Sequence, residues 1–380
     1  MNKIGFRLST ALLGYFVLII LFLTLNPFYL TLPKRFNVSF YFDLGDFIIN
    51  ILLFLPVGFL YRLSTRQRGA LFLGAAISIC IEITQFFIPV RISSAIDLLA
   101  NTLGAGLGTM AHDMISTRLA ITQGTIGRLR LETPLMGFLY MLTPLLFVDS
   151  LSLDPSSYRK ILTLLLGVCG AVIISEVFCH WWEKTVYRTA GYASLATGVW
   201  FFIGISPTFH HIIPLLPIVL GIVFTTTAWT VFHTSSQERR FERVALRNIF
   251  PIFILYLILL ALWDPFRSLT TWHWSLGFTD QVTETEYFAL AHRIEYLVAF
   301  TVLGYLFAEW FGRLEISLAR DLPRLFLFSA GVGLALEFVV GFQIGPGASL
   351  IRLILAIASA VFGGIIYHLL RTHIRFLLNH

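Results

Sequence analysis

Apolar runs of about twenty residues follow one another along this chain, and they constrain the fold more than any other feature. A helix needs about 20 apolar residues to cross the hydrocarbon core of a bilayer. Only 13% of the 380 residues are charged, against about 25% in a soluble domain. We therefore predict an all-α, polytopic membrane protein. The twelve predicted transmembrane spans are 8–26, 45–62, 70–88, 95–112, 134–152, 160–180, 190–206, 212–232, 249–263, 287–308, 323–342 and 350–370.

The basic residues indicate how the chain crosses the membrane. If the N-terminus is cytoplasmic and the loops alternate, 19 of the 27 Lys and Arg residues fall inside and 8 fall outside. Because cytoplasmic loops are enriched in Lys and Arg, this distribution supports twelve spans with both termini in the cytoplasm. The first span begins like a signal peptide, but no small-x-small cleavage site follows, so we expect it to be retained.

One block of residues occurs twice. Glu82 and Gly108 correspond, without a gap, to Glu337 and Gly363. The first copy carries Asp97 where the second carries Arg352. This pattern indicates an internal duplication in which one copy kept a polar cluster and the other lost most of it.

Two further anchors extend the duplication toward the start of each copy. Asn-Pro-Phe at 26–28 matches Asp-Pro-Phe at 264–266, and Gly58 aligns with Gly304. Each copy contains four spans, an even number, so both copies are predicted to enter the membrane in the same direction as a parallel repeat. The predicted organisation is a four-helix unit at 1–113, a middle four-helix region of unknown type at 134–232 and a divergent four-helix repeat at 249–370.

The polar residues of the first copy lie at helical spacing within apolar spans. Acidic side chains inside a membrane are costly, at about 2.5–3.5 kcal/mol near its centre, and are functional candidates by default. Pairing that merely joins helices is the structural alternative. By the predicted topology the cluster lies toward the outer face, where three helices can form a polar pocket. Asp43 shares a helix face with Asp46 and Asn50 if the helix begins early enough, and otherwise Asp43 and Asp46 are loop residues. The candidate site residues are Asp46, Asn50, Glu82, Gln85, Arg91, Asp97 and Asn101.

The second copy keeps fewer of these residues. His292 and Tyr296 take the places of Asp46 and Asn50, and they form secondary candidates together with Glu337. We expect Glu337 to pair with Arg352 in a structural role.

No other group of residues predicts a chemical site. Cys80, Cys169 and Cys179 lie in apolar runs and are interpreted as packed side chains. Glu176 is interpreted as a structural residue, and the pair His210-His211 as a solvated loop. No nucleophile motif, metal-ligand set, phosphate-binding loop or dinucleotide fingerprint is present, so we predict no metal, no cofactor and no nucleic-acid partner.

The ordered motifs of the first copy resemble those of the VanZ-like family. They run Asp46-x3-Asn50-x3-Phe54-x-Pro56-x-Gly58 and then Glu82-x2-Gln85-x3-Pro89-x-Arg91-x5-Asp97-x3-Asn101-x2-Gly104-x3-Gly108. The resemblance covers about residues 10–112, and the second copy resembles a divergent member. It implies an integral protein of the bacterial inner membrane that acts on the cell envelope. The family takes its name from a protein associated with low-level teicoplanin resistance, so antibiotic resistance is a further expectation.

Three functions stay open at this point. The first is binding or remodelling of a cell-envelope component or an anionic lipid-linked intermediate, with membrane lipid as the general partner and Arg91 facing the anion. The second is a transporter or flippase for an amphipathic envelope substrate. The third is a membrane enzyme using Glu82 and Asp97 as acid and base. The sequence leaves the ligand and the oligomeric state open.

Overall fold

The structure is a computed structural model. It describes residues 3–25, 32, 37–65, 69–89, 91–118, 123–151, 159–181, 185–205, 212–234, 241–262, 271–275, 286–312, 317–342 and 347–378. The anchors at 26–28 and 264–266 and the pair His210-His211 lie outside the described residues, as does the side chain of His292.

The described residues form an all-α fold with four two-residue strands. The helices are α1 (Lys3–Leu25), α2 (Leu44–Thr65), α3 (Ala70–Gln85), α4 (Ala95–Arg118), α5 (Gln123–Leu151), α6 (Lys160–Trp181), α7 (Val186–Gly204), α8 (Ile212–His233), α9 (Phe241–Ala261), α10 (Glu286–Gly312), α11 (Leu318–Val340) and α12 (Leu350–Leu378). The strands are β1 (Val38–Ser39), β2 (Ser93–Ser94), β3 (Trp274–Ser275) and β4 (Ala348–Ser349).

Each apolar run marks one of these helices. The largest difference is at α5, which begins at Gln123 whereas the predicted span begins at 134. The helix α9 also begins earlier than predicted, at Phe241, whereas the predicted span begins at 249. Among the described residues, 7 helices are long and apolar enough to cross a membrane, and these lie in α2, α6, α8, α9, α10, α11 and α12. Shorter apolar stretches occupy 12–21, 70–85 and 135–150. The chain is thus a multi-pass membrane protein.

Large apolar side chains on the helix surfaces agree with this class. Phe72 is 82% exposed, Phe224 74% and Leu327 69%. Such exposure would be a liability in water, but a helix in a bilayer presents these side chains to lipid. Cys80 is exposed as well, whereas Cys169 is buried. The prediction of a packed side chain was wrong for Cys80, since its position on α3 faces away from the neighbouring helices.

The short strands were not predicted from the sequence. β1 pairs with β2 in parallel, and β3 pairs with β4 in parallel. β2 directly precedes α4, and β4 directly precedes α12. Each pairing therefore fixes an extended segment beside the N-terminus of a helix.

The chain divides into two compact units, of which the first comprises residues 1–126 and 372–380. In the first unit α2 packs closely along α4, α3 also packs on α4, and α1 packs on α2. Glycine makes the α2–α4 approach possible: a Cβ at Gly58 would collide with the backbone of Ala105, and one at Gly108 with the backbone of Leu55. Such close packing of small residues is how membrane helices associate.

The second unit comprises residues 127–371. Its helices α6, α7 and α8 pack on one another, and α6 also packs on α9. In this unit α10 meets α12 through glycines, because a Cβ at Gly304 would collide with the backbone of Ala360 and one at Gly363 with that of Thr301.

Candidate functional site

Glu82 joins the end of α3 to the start of α4. Its side-chain atom Oε2 accepts hydrogen bonds from the backbone N–H of Ser94 at 2.6 Å and from the hydroxyl of Ser93 at 2.9 Å. Ser94 directly precedes α4, where backbone N–H groups lack partners within the helix and the helix dipole favours an anion. The Glu82 carboxylate, only 8% exposed, therefore accepts from donors that would otherwise be buried without a hydrogen-bond acceptor.

The two helices that face each other in this unit both begin with a side-chain cap. Asp43 Oδ1 accepts the N–H of Asp46 at 3.0 Å, and Ser94 Oγ accepts the N–H of Asp97 at 3.2 Å. Capping of this kind satisfies a free donor of the first turn. Asp43 is thus the cap of α2 and not part of its helical face, while Asp46 and Asp97 lie in the first turns of α2 and α4.

Three carboxylates form an acidic cluster, defined here as Asp46, Glu82 and Asp97. Asp97 experiences the negative charge of Asp46, and Glu82 experiences that of Asp97. Asp46 is exposed, Asp97 is half-buried and Glu82 is buried. The positive ends of α2 and α4 offset part of the repulsion among the three. The structure therefore brings together three of the residues predicted from the sequence.

A layer of amides lies one helical turn from the cluster. Asn101 Nδ2 donates to Ser78 Oγ at 2.9 Å, and Gln85 Nε2 donates to the carbonyl of Thr24 at 3.1 Å. Gln85 Oε1 and Asn101 Oδ1 are buried and have no hydrogen-bond partner among the described residues. Because leaving a buried acceptor without a donor costs about 1–3 kcal/mol, these oxygens are candidates to accept from a ligand or water.

The remaining two predicted residues lie near members of the cluster along the chain. Asn50 is half-buried on α2, one turn after Asp46. Gly104 brings α4 against the backbone of Ile51, so this turn of α2 meets α4. Arg91 is half-buried in the short segment between α3 and β2.

Glu337 has a different electrostatic environment in the second unit. Its Oε2 accepts the backbone N–H of Ser349 at 2.8 Å. The guanidinium of Arg352 donates to both of its carboxylate oxygens, at 2.6 and 2.7 Å. Arg352 also donates to the carbonyl of Gly347 at 3.0 Å and lies 5.9 Å from the ring centre of Tyr296. The predicted pairing of Glu337 with Arg352 is confirmed, and the pair is neutral.

The same contacts recur at corresponding positions of the two units. In each, a glutamate accepts the N–H of a serine that caps the following helix, and that serine is the second residue of a strand in a parallel pair. The glycine contacts also correspond, because Gly58 against Ala105 matches Gly304 against Ala360. The difference between the units is the residue in the third position of the capped helix, which is Asp97 in one and Arg352 in the other.

The second unit contains a buried network that the sequence interpretation missed. We define it as Asp149, Arg159, Thr163, Tyr256 and Glu295. Thr163 donates to Asp149 at 2.6 Å, Arg159 forms an ion pair with Glu295, and Tyr256 donates to Glu295 at 3.1 Å. The sequence did contain a signal for this network, because Asp149 and Glu295 are acidic residues that each lie inside an apolar run.

Asp321 and Glu176 are also buried in this unit. Asp321 forms a contact of 2.7 Å with His368. Glu176 accepts from Trp229 at 3.0 Å. The interpretation of Glu176 as a structural residue agrees with this contact, since it joins α6 to α8.

A separate ion pair lies at the other end of α2 and α4. Arg62 donates to Asp113 at 2.8 and 3.3 Å, and His112 lies 3.1 Å from the same carboxylate. Asp113 follows the predicted span 95–112 directly. The hydrogen bond from Arg62, and then the one from His112, hold the pKa of Asp113 below its usual range.

No group of three or more His, Cys, Asp or Glu side chains among the described residues is arranged to hold a metal ion. Residues 6–116 match the model of the VanZ/LLP1 family. No curated protein and no solved structure matches the chain.

Proposed function

We propose that this chain, whose residues 6–116 are VanZ-like, binds the polar head of an amphipathic cell-envelope component through the acidic cluster of its first unit. The observation that carries the proposal is that two corresponding positions of the two units carry opposite charges. Asp97 occupies the place that Arg352 occupies in the second unit. The second unit thus serves as an internal reference for a neutral form of the same arrangement.

The charge balance of the cluster supports a cationic ligand group. Glu337 has its counter-ion built into the chain, as the Arg352 guanidinium. Among the described residues, Asp46, Glu82 and Asp97 form no ion pair with a basic side chain. Charge-assisted hydrogen bonds are the strong ones. A protonated amine placed where the second unit has a guanidinium would reduce the repulsion among the three carboxylates and complete the arrangement.

The surrounding residues suit the rest of an envelope lipid or lipid-linked intermediate. The buried oxygens of Gln85 and Asn101 accept further donors. Arg91 lies in the segment between α3, which carries Glu82, and β2, and it is the candidate contact for a phosphate. An amphipathic molecule that carries both an amine and a phosphate therefore fits this region best.

The proposed setting is the inner membrane of a bacterium, with both termini cytoplasmic and the cluster toward the outer face. The excess of Lys and Arg in alternate loops supports this orientation. The recurring contacts of Glu82 with Ser94 and of Glu337 with Ser349 support an internal duplication. Two parallel copies with twelve spans in all form the proposed architecture.

The test is retention of defined lipids by the purified protein. Delipidated protein is incubated with phosphatidylethanolamine, which carries an ammonium group, or with phosphatidylglycerol, which carries none, and bound lipid is counted by native mass spectrometry. Wild type is expected to prefer phosphatidylethanolamine. Asp97→Arg, which copies the second unit, is expected to fold and to lose about tenfold in this affinity, or about 1.4 kcal/mol.

Asp113→Arg is the matched control, because it makes the same charge change at the other end of α4. It is expected to retain the lipid preference of the wild type. Equal binding of phosphatidylethanolamine by wild type and Asp97→Arg would overturn the proposal.

Transport is the second candidate, and the recurring contacts of the two units favour it. Parallel repeats are one architecture of secondary transporters. Reconstituted vesicles with a fluorescent ammonium lipid in one leaflet test it. A transporter or flippase would equalise the leaflets faster than protein-free vesicles, and the Asp97→Arg variant would not. A binding protein would leave the leaflets as they were.

A further inference from the structure

The buried network of the second unit contains more negative than positive charge. Asp149 on α5 and Glu295 on α10 are both 0% exposed, and Arg159, which precedes α6, is 6% exposed. The two carboxyl groups interact directly, and Asp149 also interacts with Arg159. Thr163 and Tyr256, which complete the network, are uncharged donors. Two carboxylates and one guanidinium leave one negative charge in excess.

Arg159, the cation of this network, neutralises Glu295. Glu295 forms the ion pair with Arg159 and accepts the Tyr256 hydroxyl at 3.1 Å. Asp149 Oδ2 accepts the Thr163 hydroxyl at 2.6 Å, whereas Asp149 Oδ1 has no hydrogen-bond partner among the described residues. A carboxylate is an acceptor only, so ionised Glu295 offers Asp149 no donor.

One bound proton would neutralise the excess charge and would also give the unsatisfied oxygen of Asp149 a hydrogen bond. An isolated carboxylate costs several kcal/mol when it is removed from water. A proton on Oδ1 of Asp149 removes that charge and creates a donor directed at Glu295. The resulting arrangement is neutral, and the orphaned oxygen becomes a donor to its neighbour.

We propose that the Asp149–Glu295 pair is a one-proton binding site within the second unit. The proton belongs to the pair, because two carboxyl groups in direct contact titrate together. Its release leaves a negative charge in an apolar interior, so release requires that the network open to water or that Arg159 change partners. Proton occupancy is therefore linked to the packing of α5, α6 and α10.

Infrared difference spectroscopy at pH 7 tests the proton count in the folded, reconstituted protein. A free aspartic acid is ionised at this pH. Wild type minus Asp149→Asn is expected to show the C=O band of one protonated carboxyl group. Wild type minus Glu295→Gln is expected to show the same band, because the single remaining acid then pairs with Arg159 and ionises.

Arg159→Gln provides a change of opposite sign. Without the guanidinium both acids must be neutral, so this variant is expected to gain one protonated carboxyl band relative to wild type. Asp149→Asn is isosteric with the protonated acid and is expected to fold, which circular dichroism and gel filtration would verify. The proposal is wrong if Asp149→Asn leaves the protonated-carboxyl region unchanged, or if Glu295→Gln retains the band.

Discussion

The guanidinium of Arg352 donates two hydrogen bonds to Glu337, at 2.6 and 2.7 Å. Both side chains are nearly buried, so each depends on the other for neutralisation. Breaking a buried pair by removing one partner is strongly destabilising, because the remaining charge is left uncompensated.

Arg352→Ala is therefore expected to lower the stability of the second unit by about 3–5 kcal/mol. Thermal unfolding in detergent, followed by circular dichroism, measures the effect. The double variant Glu337→Gln, Arg352→Ala is expected to recover part of the loss, since it removes both charges. A single variant as stable as wild type would contradict the prediction.

Glu82→Ala is expected to loosen the start of α4. The substitution leaves the N–H of Ser94 and the hydroxyl of Ser93 without their acceptor, at a cost of about 1–3 kcal/mol. Hydrogen exchange of amides at 93–97 should become faster. Glu82→Gln keeps an acceptor oxygen and is expected to show a smaller increase; equal exchange in both variants and wild type would count against the role of Glu82.

Gly58→Ala is expected to destabilise the first unit, because a Cβ there would collide with the backbone of Ala105. Overpacking typically costs about 1–3 kcal/mol, and a backbone neighbour cannot move as a side chain can. Gly191→Ala is the matched control: nothing lies within 4 Å of its Cβ position, and alanine favours a helix. Melting temperatures should fall for the first variant and hold or rise for the second.

The Arg62–Asp113 pair predicts a pH dependence of stability. The pKa of Asp113 is lowered in the folded protein, so its contribution is present above the unfolded pKa, near 3.9, and is lost as the pH falls toward the folded pKa. The contribution is small, because this carboxylate is exposed and screened by salt. Wild type should melt above Asp113→Asn at pH 7 and low salt, and the difference should shrink at pH 3. A difference that grew on acidification would refute the assignment.

The sequence predicted the helices well for a physical reason. In lipid every backbone polar group must be satisfied within the chain, so a long apolar run has few alternatives to a helix. The start of α9 was predicted too late, because Arg243 and Arg247 interrupt the apolar run without interrupting the helix. The strands β1 to β4 were not predicted, because a strand of two residues is too short to show an alternating pattern of apolar and polar side chains.

Some contacts between residues far apart in the chain could be predicted from the sequence, and others could not. The pairing of Glu337 with Arg352 was predictable from the repeat. The second copy has Arg352 where the first copy has Asp97, and an arginine at that position offers Glu337 a counter-ion. The contact of Glu82 with Ser93 and Ser94 was not, since its donors are a hydroxyl and a backbone group. The network of Asp149 and Glu295 brings together residues from different spans, and its members are separated by 146 positions, as their numbers show.

The sequence by itself determined that this chain is a multi-pass helical membrane protein with polar residues grouped at helical spacing. The energetic penalty for exposing backbone and charge to lipid acts locally, so residue order is enough to read it. Only the tertiary structure decided the partners of Glu82 and Asp149, which are a helix N-terminus for Glu82 and a second carboxyl group for Asp149. Those partners depend on which helix faces meet, and helix packing depends on small differences in side-chain shape across spans far apart in the chain.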